Sequence, residues 1–122
     1  MPETGWSIFE LDNEYHEGIK WLIGAFATGR RHSNNVEIGY AKGDEGWKPD
    51  QLHYHKVTEE IYVVLSGWMR IEIDSMIYRI RRGQVLYVRP MVPHKVISVQ
   101  DGAVWLLVKA PSIPDDKVIA EE

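Results

Sequence analysis

A chain of 122 residues with 44% hydrophobic content is long enough to build one compact core and short for two. It contains no Cys, which excludes a disulfide framework, a zinc ribbon, an iron–sulfur site and a thiol nucleophile, and leaves His and carboxylates as the available metal ligands. With 14 Lys and Arg against 18 Asp and Glu, the net charge of −4 gives no electrostatic footprint for nucleic acid, and the basic runs Arg30-Arg31-His32 and Arg79 to Arg82 read as solvated turns and strand faces.

The opening residues Met1-Pro2-Glu3-Thr4-Gly5-Trp6 lack the basic start and apolar run of a signal peptide, and no stretch approaches the roughly 20 apolar residues of a membrane span. The expectation is a cytoplasmic protein with one domain over residues 1–122.

Short runs rich in Val, Ile, Tyr and Trp alternate with Gly, Pro and Asp turns, an all-β pattern. In chain order they predict strands near Trp6–Leu11, Lys20–Ala27, Val36–Ala41, Gln51–His55, Glu60–Leu65, Met69–Ile73, Met76–Ile80, Val85–Val88, Lys95–Val99 and Val104–Lys109. That many short strands imply a barrel or sandwich. The sharpest hairpin joins Trp68–Ile73 to Met76–Arg81 through Asp74-Ser75, because Asp tolerates the left-handed backbone a two-residue loop requires, while Ser is a weaker choice than Gly. Pairing Ile73 with Met76 puts Met69, Ile71, Ile73, Met76, Tyr78 and Ile80 on one apolar face.

Two runs, Ile61 to Leu65 and Val104 to Val108, are apolar on both faces, which predicts a cover on the outer side and makes a homodimer the expected assembly. Pro111 and Pro114 end strand pairing, and residues 115–122 read as a charged tail.

Alternation along a strand points His53 and His55 to the same face, close enough to share one ion. Taken alone, such a pair also fits two histidines satisfied by hydrogen bonds inside a barrel. The surrounding string carries more: Gly46-Trp47-Lys48-Pro49-Asp50-Gln51-Leu52-His53-Tyr54-His55-Lys56-Val57-Thr58-Glu59-Glu60-Ile61-Tyr62-Val63-Val64-Leu65-Ser66-Gly67 resembles the first cupin motif, G-x5-H-x-H-x(3–4)-E-x6-G, with Gly46 one residue too far upstream. Residues 83–98, from Gly83 through Pro90 and Pro93-His94 to Ser98, resemble the second cupin motif, with Val92 where the pattern has Gly and Ser98 where it has Asn.

The resemblance implies a single-domain cupin, a double-stranded β-helix or jelly-roll barrel that binds a small-molecule ligand. It also implies a metal site on His53, His55, Glu60 and His94. Three imidazoles and a carboxylate leave one or two coordination positions open on an ion that prefers five or six ligands, and such a donor set suits Mn, Fe, Zn, Ni, Co or Cu. Glu59 falls on the opposite face from Glu60 and reads as a surface charge; His16 and His32 lie outside any ligand spacing.

If Glu60 faces the lumen, so do Tyr62 and Val64, and the same alternation from His94 turns Val96 and Ser98 inward. Tyr62 is therefore a candidate catalytic or substrate-facing hydroxyl; Lys109, a cation that closes an otherwise apolar strand, is a second candidate if its parity points inward, and Tyr40, Trp47, Tyr78, Ser98 and Trp105 are the candidate pocket walls. No GxSxG elbow, phosphate loop or dinucleotide GxGxxG occurs. The expected function is a metal-dependent oxygenase, isomerase or lyase acting on an oxygen-rich metabolite, the alternative being a non-catalytic small-molecule or metal-binding module.

Overall fold

A computed structural model describes residues 5–11 and 18–121. Among them the strands are β1 (Ile19–Ile23), β2 (Glu37–Lys42), β3 (His53–His55), β4 (Glu59–Ser66), β5 (Trp68–Ile73), β6 (Met76–Arg81), β7 (Val85–Val88), β8 (His94–Val99), β9 (Val104–Ala110) and β10 (Lys117–Ile119). They form two five-stranded antiparallel sheets, ordered β1-β2-β9-β4-β7 and β10-β3-β8-β5-β6. No described helix is long and apolar enough to cross a membrane.

The alternation that predicted the strands is what builds the interior. On β4, Glu60, Tyr62 and Val64 are buried while Ile61 and Val63 are only half-buried. The inward set of that strand meets Met69 and Ile71 of β5, Val96 of β8, Val88 of β7 and Trp105 and Leu107 of β9 in one core between the sheets. Complete burial of side chains such as Met69 and Ile71, each 0% exposed, contributes about 1.5–3 kcal/mol apiece.

The β5–β6 hairpin pairs Ile73 with Met76, as the pattern predicts, and Asp74 and Ser75 adopt φ of 50° and 73°, the two left-handed positions of a tight turn. A left-handed backbone costs a residue with a Cβ roughly 1 kcal/mol that glycine avoids. Ser75→Gly is therefore expected to stabilise the protein by about 0.5–1 kcal/mol, read as a higher urea midpoint at unchanged slope.

Both ends of the chain depart from the sequence expectation. Residues 6–10 form no strand: Trp6 and Ile8 stay exposed, and Phe9 lies 3.8 Å beneath the Arg31 guanidinium instead of in a ladder. β1 stops at Ile23 rather than Ala27, because the Gly24 carbonyl turns to accept Ala27 and Ser33 N–H groups at 3.2 and 3.1 Å. The segment read as a charged tail instead returns as β10, whose Lys117, Val118 and Ile119 pair with His55, Tyr54 and His53. It is anchored by Asp116, whose carboxylate accepts the backbone N–H of Thr58 at 2.9 Å and of Val57 at 3.1 Å.

Candidate metal centre

The two histidines of β3 lie beside β8, where His53 is the cross-strand partner of His94, and Glu60 reaches the same point from β4 in the facing sheet. All four side chains are buried, and one ligand atom from each falls within 4.8 Å of the others. The imidazole centroids are 4.4 Å apart for His53 and His94, 5.2 Å for His53 and His55, and 6.0 Å for His55 and His94.

Backbone carbonyls set two of the tautomers. Nδ1 of His53 donates to the Gln51 carbonyl at 2.7 Å and Nδ1 of His94 donates to the Val92 carbonyl at 2.9 Å, so in each neutral ring the lone pair is on Nε2. Nε2 of His94 then faces Glu60 Oε1 at 2.5 Å, an approach that needs a proton or another cation between two acceptors. Nε2 of His55 lies 3.5 Å from the same oxygen, is buried, and has no hydrogen-bond partner. A buried imidazole nitrogen left without a partner costs about 1–3 kcal/mol, a cost that metal ligation removes.

Charges at the centre follow from burial and neighbours. Burial pulls His53 down to about 4, with the nearby His94 adding to the effect, so its ring is neutral at pH 7. Burial alone would raise Glu60, but the facing imidazoles and the Lys109 charge outweigh it and hold the carboxyl well below its ordinary value. Tyr62, fully enclosed and donating to Glu60 Oε1 at 3.4 Å, is raised well above the ordinary phenol by burial and by that carboxylate. It serves as a hydrogen-bond donor rather than a base. Four ionisable donors, three neutral or neutralisable imidazoles and one carboxylate, are the donor set that a divalent transition metal takes.

Two members of the centre, His53 and Glu60, line a cavity of about 340 Å³ between the sheets, together with Tyr62, Trp47, Trp105 and Lys109 from the sequence-derived candidates and with Trp21 and Lys117. Three other candidate wall residues lie elsewhere. Tyr40 is the outward neighbour of the cavity-lining Ala41, placed opposite Leu106 on the outer face and covered there, with Lys42 Nζ 5.7 Å from its ring. Tyr78 is exposed, since β6 is an edge strand that overhangs the core, although it pairs with buried Ile71 as the hairpin predicts. Ser98 is turned outward by a β-bulge: β5 pairs Ile71 with Val96 but Arg70 with Ser98, so Ile97 is the extra residue and Val99, not Ser98, packs on the core.

Glu59 is exposed and accepts a hydrogen bond from Tyr87, and His32 is exposed away from the centre; His16 lies outside the described residues. Sequence reasoning missed Trp21, Lys117 and Asp116. The inward position of Trp21 was available from alternation with Ile19 on β1, whereas nothing in the residues 115–122 carries a strand period.

Solved structures share this architecture. A double-stranded β-helix protein of unassigned role from Klebsiella pneumoniae subsp. pneumoniae superposes with a TM-score of 0.72 at 15% identity, covering 94% of this chain and 97% of its own. The DMSP lyase DddQ from Ruegeria pomeroyi superposes with a TM-score of 0.66 at 18% identity, covering 92% of this chain and 55% of its own. At the sequence level, an uncharacterized protein of Methanocaldococcus jannaschii is 33% identical over 63 residues, a match spanning 52% of this chain and only 49% of that relative. Residues 36–109, which carry all four clustered ligands and the cavity-lining residues of β2, β3, β4, β8 and β9, match the cupin domain family, and the chain belongs to that family.

Proposed function

We propose that this protein holds one divalent transition-metal ion on His53, His55, Glu60 and His94 and acts on a small oxygen-rich metabolite in the adjoining cavity, within the cytoplasm. The observation that carries the reading is the convergence of ligand atoms from four buried side chains within 4.8 Å, among which His55 has a partnerless Nε2, beside a cavity that His53 and Glu60 line and that is large enough for a metabolite. A bound ion would act as a Lewis acid or redox centre toward a carboxylate, hydroxyl or carbonyl.

The chain's own groups have distinct tasks in this reading. The carbonyls of Gln51 and Val92 fix the rings of His53 and His94, Tyr62 donates to Glu60 and restrains its carboxylate, and Lys109, opposite Glu60 on β9, places a cation at the cavity end nearest the centre. The lyase and decarboxylase names carried by structural neighbours, DMSP lyase and oxalate decarboxylase, belong to proteins that share the fold at 18% and 20% identity and support only the broad class. Turnover is tested by following dioxygen uptake and product formation with the metal-loaded protein across small carboxylic and hydroxy acids. Consumption of a compound supports an enzyme, and a shift in melting temperature without consumption would make the barrel a binding module.

A homodimer is part of the proposal. Ile61, Val63, Leu106 and Val108 turn outward and remain half-buried, and on the next strand Val85 and Tyr87 are exposed, so one sheet presents an apolar outer face. Light scattering is expected to give twice the chain mass, and Val63→Glu, which places a charge in the middle of that face, is expected to give the single-chain mass.

A further inference from the structure

We infer that the cavity takes an aromatic carboxylate, with its carboxylate beside Lys109 and its ring among the indoles of Trp21, Trp47 and Trp105, an assignment that rests on reading this cavity as the substrate site.

The inward side of β9 grades from charge to aromatic surface. Lys109 stands opposite Glu60 and Glu37, Leu107 opposite Tyr62 and Gly39, and Trp105 opposite Val64 and Ala41. At about 3.4 Å per residue, Lys109 and Trp105 are separated by roughly 13 Å of strand, enough for a molecule with an anionic head and a ring.

Gly39 creates the side wall. A Cβ there would come within 2.9 Å of the Trp21 ring, so only glycine lets the indole lie across β2. Lys109 Nζ lies 4.8 Å from the centroid of the same indole. Trp47, from the loop before β3, and Trp105 close the aromatic part of the cavity. Rigid indoles give flat contact area at small entropic cost, which suits a planar ligand.

Charge decides the head group. Lys48, Lys109 and Lys117 line the cavity against the carboxylates Asp50 and Glu60. Glu60 is already engaged by His94 and Tyr62, and Asp50 lies 3.5 Å from Lys117. Lys109 has Glu37 at 3.9 Å, a separation that leaves its ammonium donors available to a second anion. A neutral head group would gain no ion pair from this cation, and a cationic one would be repelled by it.

The test is a fluorescence and calorimetric titration of the protein as purified, using benzoate, benzamide and acetate as probes, with Lys109→Met as the variant. Benzoate is expected to bind at least about 10-fold more tightly than either benzamide or acetate and to quench tryptophan emission, and in Lys109→Met its advantage over benzamide is expected to vanish. Equal binding of all three probes, or no benzoate binding at millimolar concentration, would overturn the inference. A benzoate preference retained in folded Lys109→Met would also overturn it, and Lys109→Gln takes the place of Lys109→Met if that variant does not fold. Repeating the titration after chelator treatment separates the two claims: a Lys109-dependent preference in protein that never carries an ion keeps this inference and removes the metal reading, whereas a metal-loaded protein without the preference does the reverse.

Discussion

Replacing His94 with alanine is expected to weaken metal binding by on the order of 100-fold or more while leaving an all-β circular dichroism spectrum. The ring contributes Nε2, already oriented by the Val92 carbonyl, and no other nitrogen or oxygen donor in the cluster can take its place. The register of β8 is meanwhile set by its ladder to β5, and the largest fully buried apolar side chains, Tyr62, Met69 and Ile71, belong to other strands. The variant also leaves the Glu60 carboxylate buried without its closest cationic neighbour, so its metal-free form is expected to be less stable than metal-free wild type by about 3 kcal/mol. His94→Gln, which keeps much of the volume and a donor, is expected to recover part of that stability but not the affinity. An unfolded His94→Ala with metal in excess would mean that the ion builds the barrel instead of occupying it.

Asp116→Ala is expected to cost about 2–4 kcal/mol in urea unfolding, a large effect for a residue outside the apolar core. Its carboxylate accepts the N–H groups of Val57 and Thr58 in the loop that links His55 to Glu60, and Ala would remove the partner of both, leaving the buried Thr58 donor stranded. Backbone ties hold the same loop: Lys56 N–H donates to the Asp116 carbonyl at 3.2 Å, and the His55 carbonyl accepts from Met91 at 2.7 Å. Burial works to raise the Asp116 carboxyl, but the Thr58 and Val57 N–H groups outweigh it and lower its pKa from the ordinary 3.8. A carboxyl depressed in the folded state contributes stability that is full above its unfolded value and is lost as pH falls through its folded value. The gap between wild type and Asp116→Ala is therefore expected to be constant near neutrality and to narrow below about pH 4. A gap independent of pH would show that the charge on Asp116 contributes nothing. Because the loop positions two of the clustered ligands, the same variant is expected to bind metal about 10-fold more weakly.

The strands from β4 to β9 were legible because each is a short run rich in β-branched and aromatic residues bounded by turn residues, and the hairpin at Asp74-Ser75, which alternates with period two, was legible down to its register. Pattern reading failed where parity changed or a partner was remote. The bulge at Ile97 reverses the face of every later residue on β8, and no residue there announces it, so Ser98 was placed inward and Val99 overlooked. Tyr40 and Ala41 are both apolar, which leaves the inward one undefined until the ladder to β9 is known. β10 has only three residues, flanked by charge, and is held by pairing with β3 some sixty positions earlier, information no local window contains. Of the candidate centre, the identity of the clustered side chains was readable from motif spacing, whereas the fixing of the rings by Gln51 and Val92 carbonyls and of the loop by Asp116 depends on contacts the spacing does not express.

The most direct test of the metal centre is elemental analysis of the protein purified without added metal or chelator, alongside His53→Ala prepared in the same way. About one transition-metal ion per chain in the wild type, lost in the variant, is the predicted result. No ion in either protein, even after incubation with Mn, Fe, Ni and Zn, would contradict it and leave His53, His55, Glu60 and His94 as buried polar residues of the barrel.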